Sequence, residues 1–319
     1  MCETERRGRL AIVAGLRIVG EIPPIQATMP SSSPIDIDSS SPPFDQFRSI
    51  QRLSADRSGH SSVEHVRHQL YVGRDKRRPE SVLVKVTSKP GLVYQHNLTN
   101  EIASLSTINR ELPDSLYFPV IRDHGRLRDG RVYLTTSLFE EFPLAASIGP
   151  ERMPSRMVAH LRATLEIAKA LAELHRLELF HVDLNPMNIL YGVEKGRPVI
   201  RIVDFESSYE RARHSNGLFY DPPTTPGYSA PEISRQAPDA RSDLFSLGAV
   251  LYTMMAGYQW SWGTEIGRCI DGDAEIDSEL QRILLSSVDR DPDKRYPSIQ
   301  EFRDSLAVYL ERIWPGRSW

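Results

Sequence analysis

The sequence predicts an α+β fold of two lobes, a β-rich N-lobe that contains one helix and a larger, mainly helical C-lobe. Two observations lead to this prediction. From about residue 50 to residue 140, short apolar strands alternate with turn-forming residues, and one helical pattern interrupts them. From about residue 150 onward, apolar residues recur at helical spacing. A chain of 319 residues, 40% of them hydrophobic, is long enough to bury a sizeable core.

Residues 1–46 are predicted to form a flexible tail. The stretch PSSSPIDIDSSSPPFD is rich in Ser, Pro and Asp and offers too little apolar surface to fold. The opening ERRGRLAIVAGLRIVG combines basic and apolar residues as a signal peptide does, but Arg17 interrupts the apolar run and no small-residue cleavage site follows. We therefore expect the folded domain to cover residues 47–314 and expect no secretion signal.

The composition argues against two classes of partner, nucleic acids and membranes. The formal net charge of −3 creates no overall basic field, so we expect no nucleic-acid partner. No apolar run approaches the ~20 residues that a membrane-spanning helix needs, so we expect no membrane partner. The two cysteines, Cys2 and Cys269, are too few for a disulfide framework, which indicates a reducing compartment and a cytoplasmic location. The sequence carries no signal for an oligomeric state.

The N-lobe is predicted to extend from about residue 47 to about residue 139. EHVRHQLYVG and SVLVKVT flank the polar loop RDKRRPE as the strands of a hairpin do, and YFPVIRDHG and RVYLTTSLF form a second pair around RLRDG. Between the two pairs, NLTNEIASLSTINREL has the apolar spacing of a helix.

A hinge at about residues 140–143 and a C-lobe at about 144–314 complete the predicted domain. SRMVAHLRATLEIAKALAELHRLEL is amphipathic, and His175 on this helix is interpreted as a packed or rim histidine. RSDLFSLGAVLYTMMAG is apolar nearly all round, which indicates a buried central helix. SELQRILLSSV and SIQEFRDSLAVYLERIW are amphipathic and close the lobe.

Lys85 is the first residue whose position suggests chemistry. It lies in VLVKV between two inward-facing valines, so strand alternation points it to the opposite face. Alone, it would be interpreted as a surface lysine. Glu101 on the following helix offers a carboxylate partner, and a Lys–Glu ion pair of this kind fixes the ammonium so that it can hold nucleotide phosphates.

Three further residues suggest a metal site beside a proton acceptor. Asp183 and Asn188 lie on the loop HVDLNPMNIL, and Asp204 ends the strand in IRIVDFES. A strand-end carboxylate and a loop amide are suitable ligands for Mg²⁺, which prefers hard oxygen donors. Asp183 is then free to orient or deprotonate an attacking hydroxyl group. Asp204 alone would also suit a helix or turn cap, but the ordered set of polar residues favours phosphoryl transfer.

These motifs occur in the order found in eukaryotic-type Ser/Thr protein kinases, and the chain resembles that family over roughly residues 50–312. The motifs are VLVKV, Glu101, HVDLNPMNIL, VDFE, TPGYSAPE, SDLFSLGAVLYTMMAG and DPDKRYPS. The first four are shared with small-molecule kinases, such as the aminoglycoside and choline phosphotransferases. The last three are not, and they favour a protein kinase-like fold and a protein acceptor.

The resemblance implies ATP and Mg²⁺ as cofactors and assigns a function to each site residue. Lys85 would bind the α- and β-phosphates, and Glu101 would position it. Asp183 would be the catalytic base, while Asn188 and Asp204 would hold Mg²⁺.

The same resemblance assigns a second group of residues to the peptide-binding side of the site. TPGYSAPE would dock the peptide substrate, and Thr225 within it would mark specificity for Ser or Thr acceptors. Glu232 would pair with Arg295, and Asp243 would brace the catalytic loop from the central helix.

Four positions depart from the family pattern. Val182 replaces the Arg that gathers a phosphate on the activation segment, which argues against switching by that route. Asn185 replaces the Lys that contacts the γ-phosphate, and Glu206 replaces the Gly of Asp-Phe-Gly. In LSADRSGHSSVEHV, where a glycine-rich loop is expected over the phosphates, Gly59 is the remaining glycine and the candidate cofactor-binding residue.

The favoured function is Mg²⁺-ATP-dependent phosphorylation of Ser and Thr in proteins. A pseudokinase or scaffold that binds nucleotide without efficient catalysis is the main alternative, because the glycine-rich loop is degenerate and Asn185 lacks a charge. A small-molecule phosphotransferase is the third hypothesis, supported by the DFE and HVDLNP motifs.

Overall fold

The computed structural model describes residues 12–13, 16–17, 37–40, 42–53, 67–77, 80–150, 152, 154–215, 222–257 and 265–315. In the N-lobe, α1 (Leu92–Glu111) packs beside an antiparallel sheet of order β3-β4-β5-β7-β6. The strands of this sheet are β3 (Phe47–Arg52), β4 (His68–Asp75), β5 (Ser81–Thr87), β6 (Ile121–Arg126) and β7 (Val132–Ser137). Two short strands near the start of the chain, β1 (Ile12–Val13) and β2 (Leu16–Arg17), pair with each other in a separate sheet.

Both predicted hairpins of the N-lobe are confirmed. β4 pairs with β5, β6 pairs with β7, and β5 also pairs with β7 at the centre of the sheet. Lys85 lies opposite Leu70 on one side and Leu134 on the other. Val84 and Val86 are fully buried on the face opposite to Lys85, as the strand alternation predicts.

The packed part of the N-lobe begins before Phe47, where the sequence predicted the tail to end. Ile37 and Phe44 are 4% and 3% exposed and join the apolar cluster of Val84 and Val86. The ring of Phe44 meets that of Tyr133 edge-on, with centroids 5.8 Å apart. A Ser- and Pro-rich stretch can dock here because the sheet supplies most of the apolar surface that the stretch itself lacks.

The C-lobe is built from helices and a few short strands. The helices are α2 (Met157–Arg176), α3 (Arg211–His214), α4 (Ala240–Ala256), α5 (Ile266–Asp271), α6 (Ser278–Ser287) and α7 (Ile299–Ile313). The strands are β8 (Phe142–Pro143), β9 (Leu179–Phe180), β10 (Ile189–Glu194), β11 (Arg197–Ile202) and β12 (Tyr209–Glu210). Because β8 pairs with β10, the last two residues of the predicted hinge belong to the C-lobe, and residues 138–141 connect the lobes.

Helix α4 is the central helix that the sequence predicted. Every residue from Ser242 to Ala256 is buried. Asp239 caps its N-terminus by accepting a hydrogen bond from Arg241 N, and Gly257 ends it with a φ of 68°, a left-handed conformation that favours glycine. None of the helices among the described residues combines the length and apolar character that crossing a bilayer requires.

The packing of α4 against α6 gives a prediction on stability. Alanine is normally favoured over glycine inside a helix by up to ~1 kcal/mol. A methyl group at Gly248, however, would lie 2.6 Å from Ser287 Cβ and 2.9 Å from Val288 Cγ1. We therefore expect Gly248→Ala to lower the free energy of unfolding by ~1–3 kcal/mol, measured by urea titration.

Gly267 on α5 provides the matched control. Among the described residues, no atom lies within 4 Å of the position that its added Cβ would take. Gly267→Ala should therefore raise the free energy of unfolding, by ~0.4–1 kcal/mol. Equal changes of the same sign in the two variants would contradict the packing argument.

Candidate active site

Lys85 lies at the centre of a buried cluster of carboxylates, between the sheet and the C-lobe. Its Nζ donates hydrogen bonds to Glu101 Oε2 at 2.7 Å, Asp204 Oδ1 at 2.9 Å and Glu206 Oε1 at 3.2 Å. The Lys85–Glu101 pair is the one predicted from the sequence, and both residues are buried. Three carboxylates thus surround one ammonium at this end of the cleft.

Charge and burial act in opposite directions within this cluster. Burial alone lowers the pKa of Lys85, but attraction to Asp204, Glu101 and Glu206 outweighs burial and raises that pKa well above its ordinary value. Burial raises the pKa of Glu101 to about 7, because the stabilising effect of Lys85 is opposed by the other two carboxylates. The ammonium therefore stays charged, and a neighbouring cation would be favoured.

Glu206 and His68 are functional candidates whose roles the sequence did not reveal. Glu206 accepts hydrogen bonds from Lys85 Nζ and, at 2.9 Å, from His68 Nδ1 on β4. Burial would raise the pKa of Glu206, but Lys85 and His68 outweigh it and lower the pKa. The residue that replaces the family glycine thus joins the C-lobe to two strands of the N-lobe. The hairpin register could have indicated that His68 lies near Lys85, because His68 is two residues from Leu70, the residue opposite Lys85.

Asp243 on α4 is hydrogen-bonded to the start of the loop HVDLNPMNIL. Its carboxylate is fully buried and accepts hydrogen bonds from His181 N at 2.9 Å and Val182 N at 2.7 Å. His175 Nε2 on α2 lies 2.9 Å from the same carboxylate, which explains the histidine predicted to be packed. Val182 has a φ of 71°, an unfavourable conformation for a β-branched residue that these bonds hold in place.

Asp183 and Asn188 approach each other across the loop. Asn188 Nδ2 donates to Asp183 O at 3.0 Å, and Val203 N donates to Asn188 O at 3.0 Å, which brings the start of the Asp204 segment beside the loop. Asp204 has a φ of 67°, so its backbone turns sharply directly after β11. These contacts therefore bring the predicted base, Asp183, close to the two predicted metal ligands, Asn188 and Asp204.

Thr225 contacts the predicted base directly. Its N donates to Asp183 Oδ1 at 2.8 Å, while Asn185 Nδ2 donates to Asp183 O at 3.0 Å and Thr225 Oγ1 at 3.2 Å. Burial raises the pKa of Asp183 to about 6, although the hydrogen bonds from Thr225 oppose this rise. Asn185 therefore supports the loop with its amide, where the family pattern has a charged side chain.

The residues proposed to hold Mg²⁺ fit that ion. Among the described residues, both hydrogen bonds made by the Asn188 side chain are donated by its Nδ2. Its Oδ1 is therefore available to a cation. Asp204 uses Oδ1 for Lys85, and its side chain remains 28% exposed. An amide oxygen and a carboxylate oxygen are donors that Mg²⁺ accepts beside phosphate oxygens.

An apolar cleft opens beside this charged cluster. Its lining includes Lys85, Glu101 and Asp204 at one end and apolar side chains from both lobes elsewhere, among them Leu83, Leu134, Leu138, Leu190 and Val203. The connecting residues 137–139 form part of the wall. Its apolar walls and the Lys85 ammonium at one end suit a ligand that has an apolar part and an anionic part. Gly59, the candidate from the glycine-rich loop, lies outside the described residues.

The predicted pair of Glu232 and Arg295 is present and buried. Arg295 donates from Nη1 to Glu232 Oε1 and from Nη2 to Glu232 Oε2, both at 2.8 Å. The guanidinium also lies 5.0 Å from the ring centroid of Phe245 on α4. Ser242 Oγ donates to Glu232 Oε1 at 2.9 Å, so the end of the TPGYSAPE segment is tied to the central helix.

Several curated relatives that match part of the chain are ribosomal protein S6 kinases. The alpha-6 kinase of Danio rerio is 38% identical over 148 residues, which are 46% of this chain and 19% of that protein. The alpha-3 kinase of Homo sapiens is 40% identical over 133 residues, or 41% of this chain and 18% of that protein. The 2 beta kinase of Xenopus laevis is 40% identical over 177 residues, or 51% and 28%. The matches thus span less than a third of each relative.

Structural and family comparisons cover more of the chain. A double mutant of the Mycobacterium tuberculosis PknI kinase domain superimposes with a TM-score of 0.58 and 18% identity, covering 81% of this chain and 95% of that one. At this identity the likeness concerns the fold, and it confirms the predicted bilobal α+β architecture. The family model of the protein kinase domain matches residues 69–307, most of the chain. The chain therefore belongs to the protein kinase domain family.

Proposed function

We propose that the chain is an ATP- and Mg²⁺-dependent protein kinase that transfers the γ-phosphoryl group of ATP to Ser or Thr hydroxyl groups of proteins. One observation supports the proposal: Lys85 and Asp204 line one end of an apolar cleft, and the loop that carries Asp183 and Asn188 is hydrogen-bonded to the segment that leads into Asp204. Phosphoryl transfer needs mainly positioning and charge neutralisation, which such a set supplies.

In this proposal each residue has one step. Lys85, held by Glu101, would pair with phosphate oxygens. Mg²⁺ bound by Asn188 and Asp204 would neutralise charge on the phosphates; Asp204 is able to turn toward it because its side chain is partly exposed.

Asp183 would orient the acceptor hydroxyl and take its proton. Its Oδ1 is engaged by Thr225 N, so the proton would go to Oδ2. The amides of Asn185 and Asn188 lie 3.5 and 3.4 Å from Oδ2, distances that leave this oxygen weakly bonded and basic.

A protein acceptor is favoured over a small molecule because the TPGYSAPE segment is anchored. Its end is held by Arg295, and its beginning contacts the predicted base through Thr225. The names of the curated relatives describe kinases of a ribosomal protein. The cytoplasmic location indicated by the two cysteines is part of the same proposal.

Phosphate incorporation with γ-labelled ATP tests the proposed function. The purified chain would be incubated with Mg²⁺, a Ser/Thr peptide library and a pool of free metabolites, beside samples with EDTA and with Asp204→Ala. We expect Mg²⁺-dependent label on Ser or Thr, lost in both controls. Label on metabolites alone would indicate a small-molecule phosphotransferase. Thermal stabilisation by ATP with no label anywhere would indicate a nucleotide-binding pseudokinase.

A further inference from the structure

Three polar side chains form a stripe along one face of α1. Asn100, Ser104 and Thr107 are spaced four and three residues apart, so they project from the same side of the helix. Asn100 and Ser104 are 6% and 0% exposed. Buried polar groups destabilise a fold unless they find partners, so the surface that this polar stripe meets has a structural role.

The polar stripe meets residues 206–213, which begin the activation segment that runs from Asp204 to Glu232. Asn100 Nδ2 donates to two backbone carbonyl oxygens of this segment, Glu206 O at 2.9 Å and Ser208 O at 2.8 Å. Ser104 Oγ and Ser208 Oγ are hydrogen-bonded at 2.7 Å. Helix and segment are therefore joined through backbone and side chain alike.

Arg213 completes the contact from the segment. Its Nη1 donates to Asn100 Oδ1 at 2.5 Å and its Nη2 to Ser104 Oγ at 2.7 Å, while its Nε donates to Glu210 Oε2 at 3.2 Å. Glu210 Oε1 in turn accepts from Thr107 Oγ1 at 3.1 Å. We call these contacts of Asn100, Ser104 and Thr107 with residues 206–213 the junction. Hydrogen bonds from a charged donor are stronger than neutral ones, so we expect Arg213 to contribute most to the junction.

The junction lies directly beside Glu101 on α1. Asn100 is its neighbour in the chain, so a rotation or shift of α1 that broke the junction would also move Glu101 away from Lys85. Val182, at the position before the predicted base, offers no cation that a phosphate on the activation segment could bind.

We propose that Asn100 and Arg213 are positioning residues that hold Glu101 in its active orientation without phosphorylation of the activation segment. This inference rests on the proposed kinase function, because it concerns the regulation of the same site. Physically, α1 would have two states, docked on residues 206–213 or undocked from them, and the junction would stabilise the docked state.

Arg213→Met tests the inference, with Arg110→Met as the matched control on an exposed side chain of α1. Arg213→Met should lower kcat roughly tenfold, since it removes charge-assisted hydrogen bonds. Hydrogen exchange of α1 amides should become faster by a similar factor, and the KM for peptide should stay the same. Arg110→Met should change none of these. Thr107→Val, which removes one bond, should give a smaller change of the same kind even if Arg213→Met folds poorly.

The second experiment uses phosphatase-treated protein that mass spectrometry shows to carry no phosphate. We expect phosphatase-treated chain to retain its initial rate. Loss of that rate with the fold intact, or equal α1 exchange in Arg213→Met and Arg110→Met, would overturn the inference. Absence of phosphoryl transfer in the parent chain would instead refute the proposed function, and the exchange measurement would still test the junction because it needs no activity.

Discussion

Asp183→Asn is expected to lower kcat by ~10²–10⁴, the range typical of a lost general base. The substitution keeps the size of the side chain, and its Oδ1 can still accept the hydrogen bond from Thr225 N. An amide, however, cannot take the proton of the acceptor hydroxyl. The initial rate of phosphate incorporation at saturating ATP measures the effect, while the KM for ATP should change little because Asp183 does not contact the Lys85 cluster directly.

Asp271→Asn is the control for this prediction. Asp271 is exposed at the end of α5, outside the site, so the same chemical change should leave the rate unaltered. If Asp183→Asn kept more than a tenth of the parent rate with normal thermal stability, the proton would have to leave by another route, and Asp183 would be an orienting residue only.

Glu232→Ala is expected to lower the free energy of unfolding by ~3–5 kcal/mol. The Arg295 side chain is 0% exposed and would keep its charge without a carboxylate partner. Its remaining partners are the carbonyl oxygens of Asp289 and Arg241, each at 2.7 Å, which bond to the guanidinium but do not neutralise it. Urea unfolding of the variant beside the parent chain measures the loss.

Glu111→Ala is the control that separates the effect of burying an ion pair from the effect of its charge. Arg110 and Glu111 also form an ion pair at 2.7 Å, but their side chains are 66% and 47% exposed. Exposed pairs contribute little, so this variant should lose less than ~1 kcal/mol. A loss in Glu232→Ala no larger than that in Glu111→Ala would mean that water reaches Arg295 and that the pair does not hold the segment.

The candidate site residues could be named from the sequence because each lies in a short motif with its own local geometry. Lys85 is directed by strand alternation, and Asp183 and Asn188 share one loop. The ion pair of Glu232 and Arg295, far apart in the chain, was predicted through the family resemblance, since no local rule joins an acid in one segment to a base in another.

Contacts that cross between lobes were not predictable in this way. The three-carboxylate environment of Lys85 requires Glu206 to approach β5 from the C-lobe, and the bond from His68 requires β4 to lie over the same point. Polar residues of α1 likewise gave no sign of their partners, because a polar stripe on a helix is typical of a solvent-exposed face.

The sequence by itself determined the fold class, the two hairpins, the central helix and the order of the chemical residues, since hydrophobic period and motif spacing are local properties. The tertiary structure alone decided three features: Ile37 and Phe44 pack on the sheet, Glu206 shares Lys85, and Arg213 joins the activation segment to α1. Each of these depends on the distance between residues remote in the chain, which is set only when packed lobes bury apolar surface and leave polar groups to find partners.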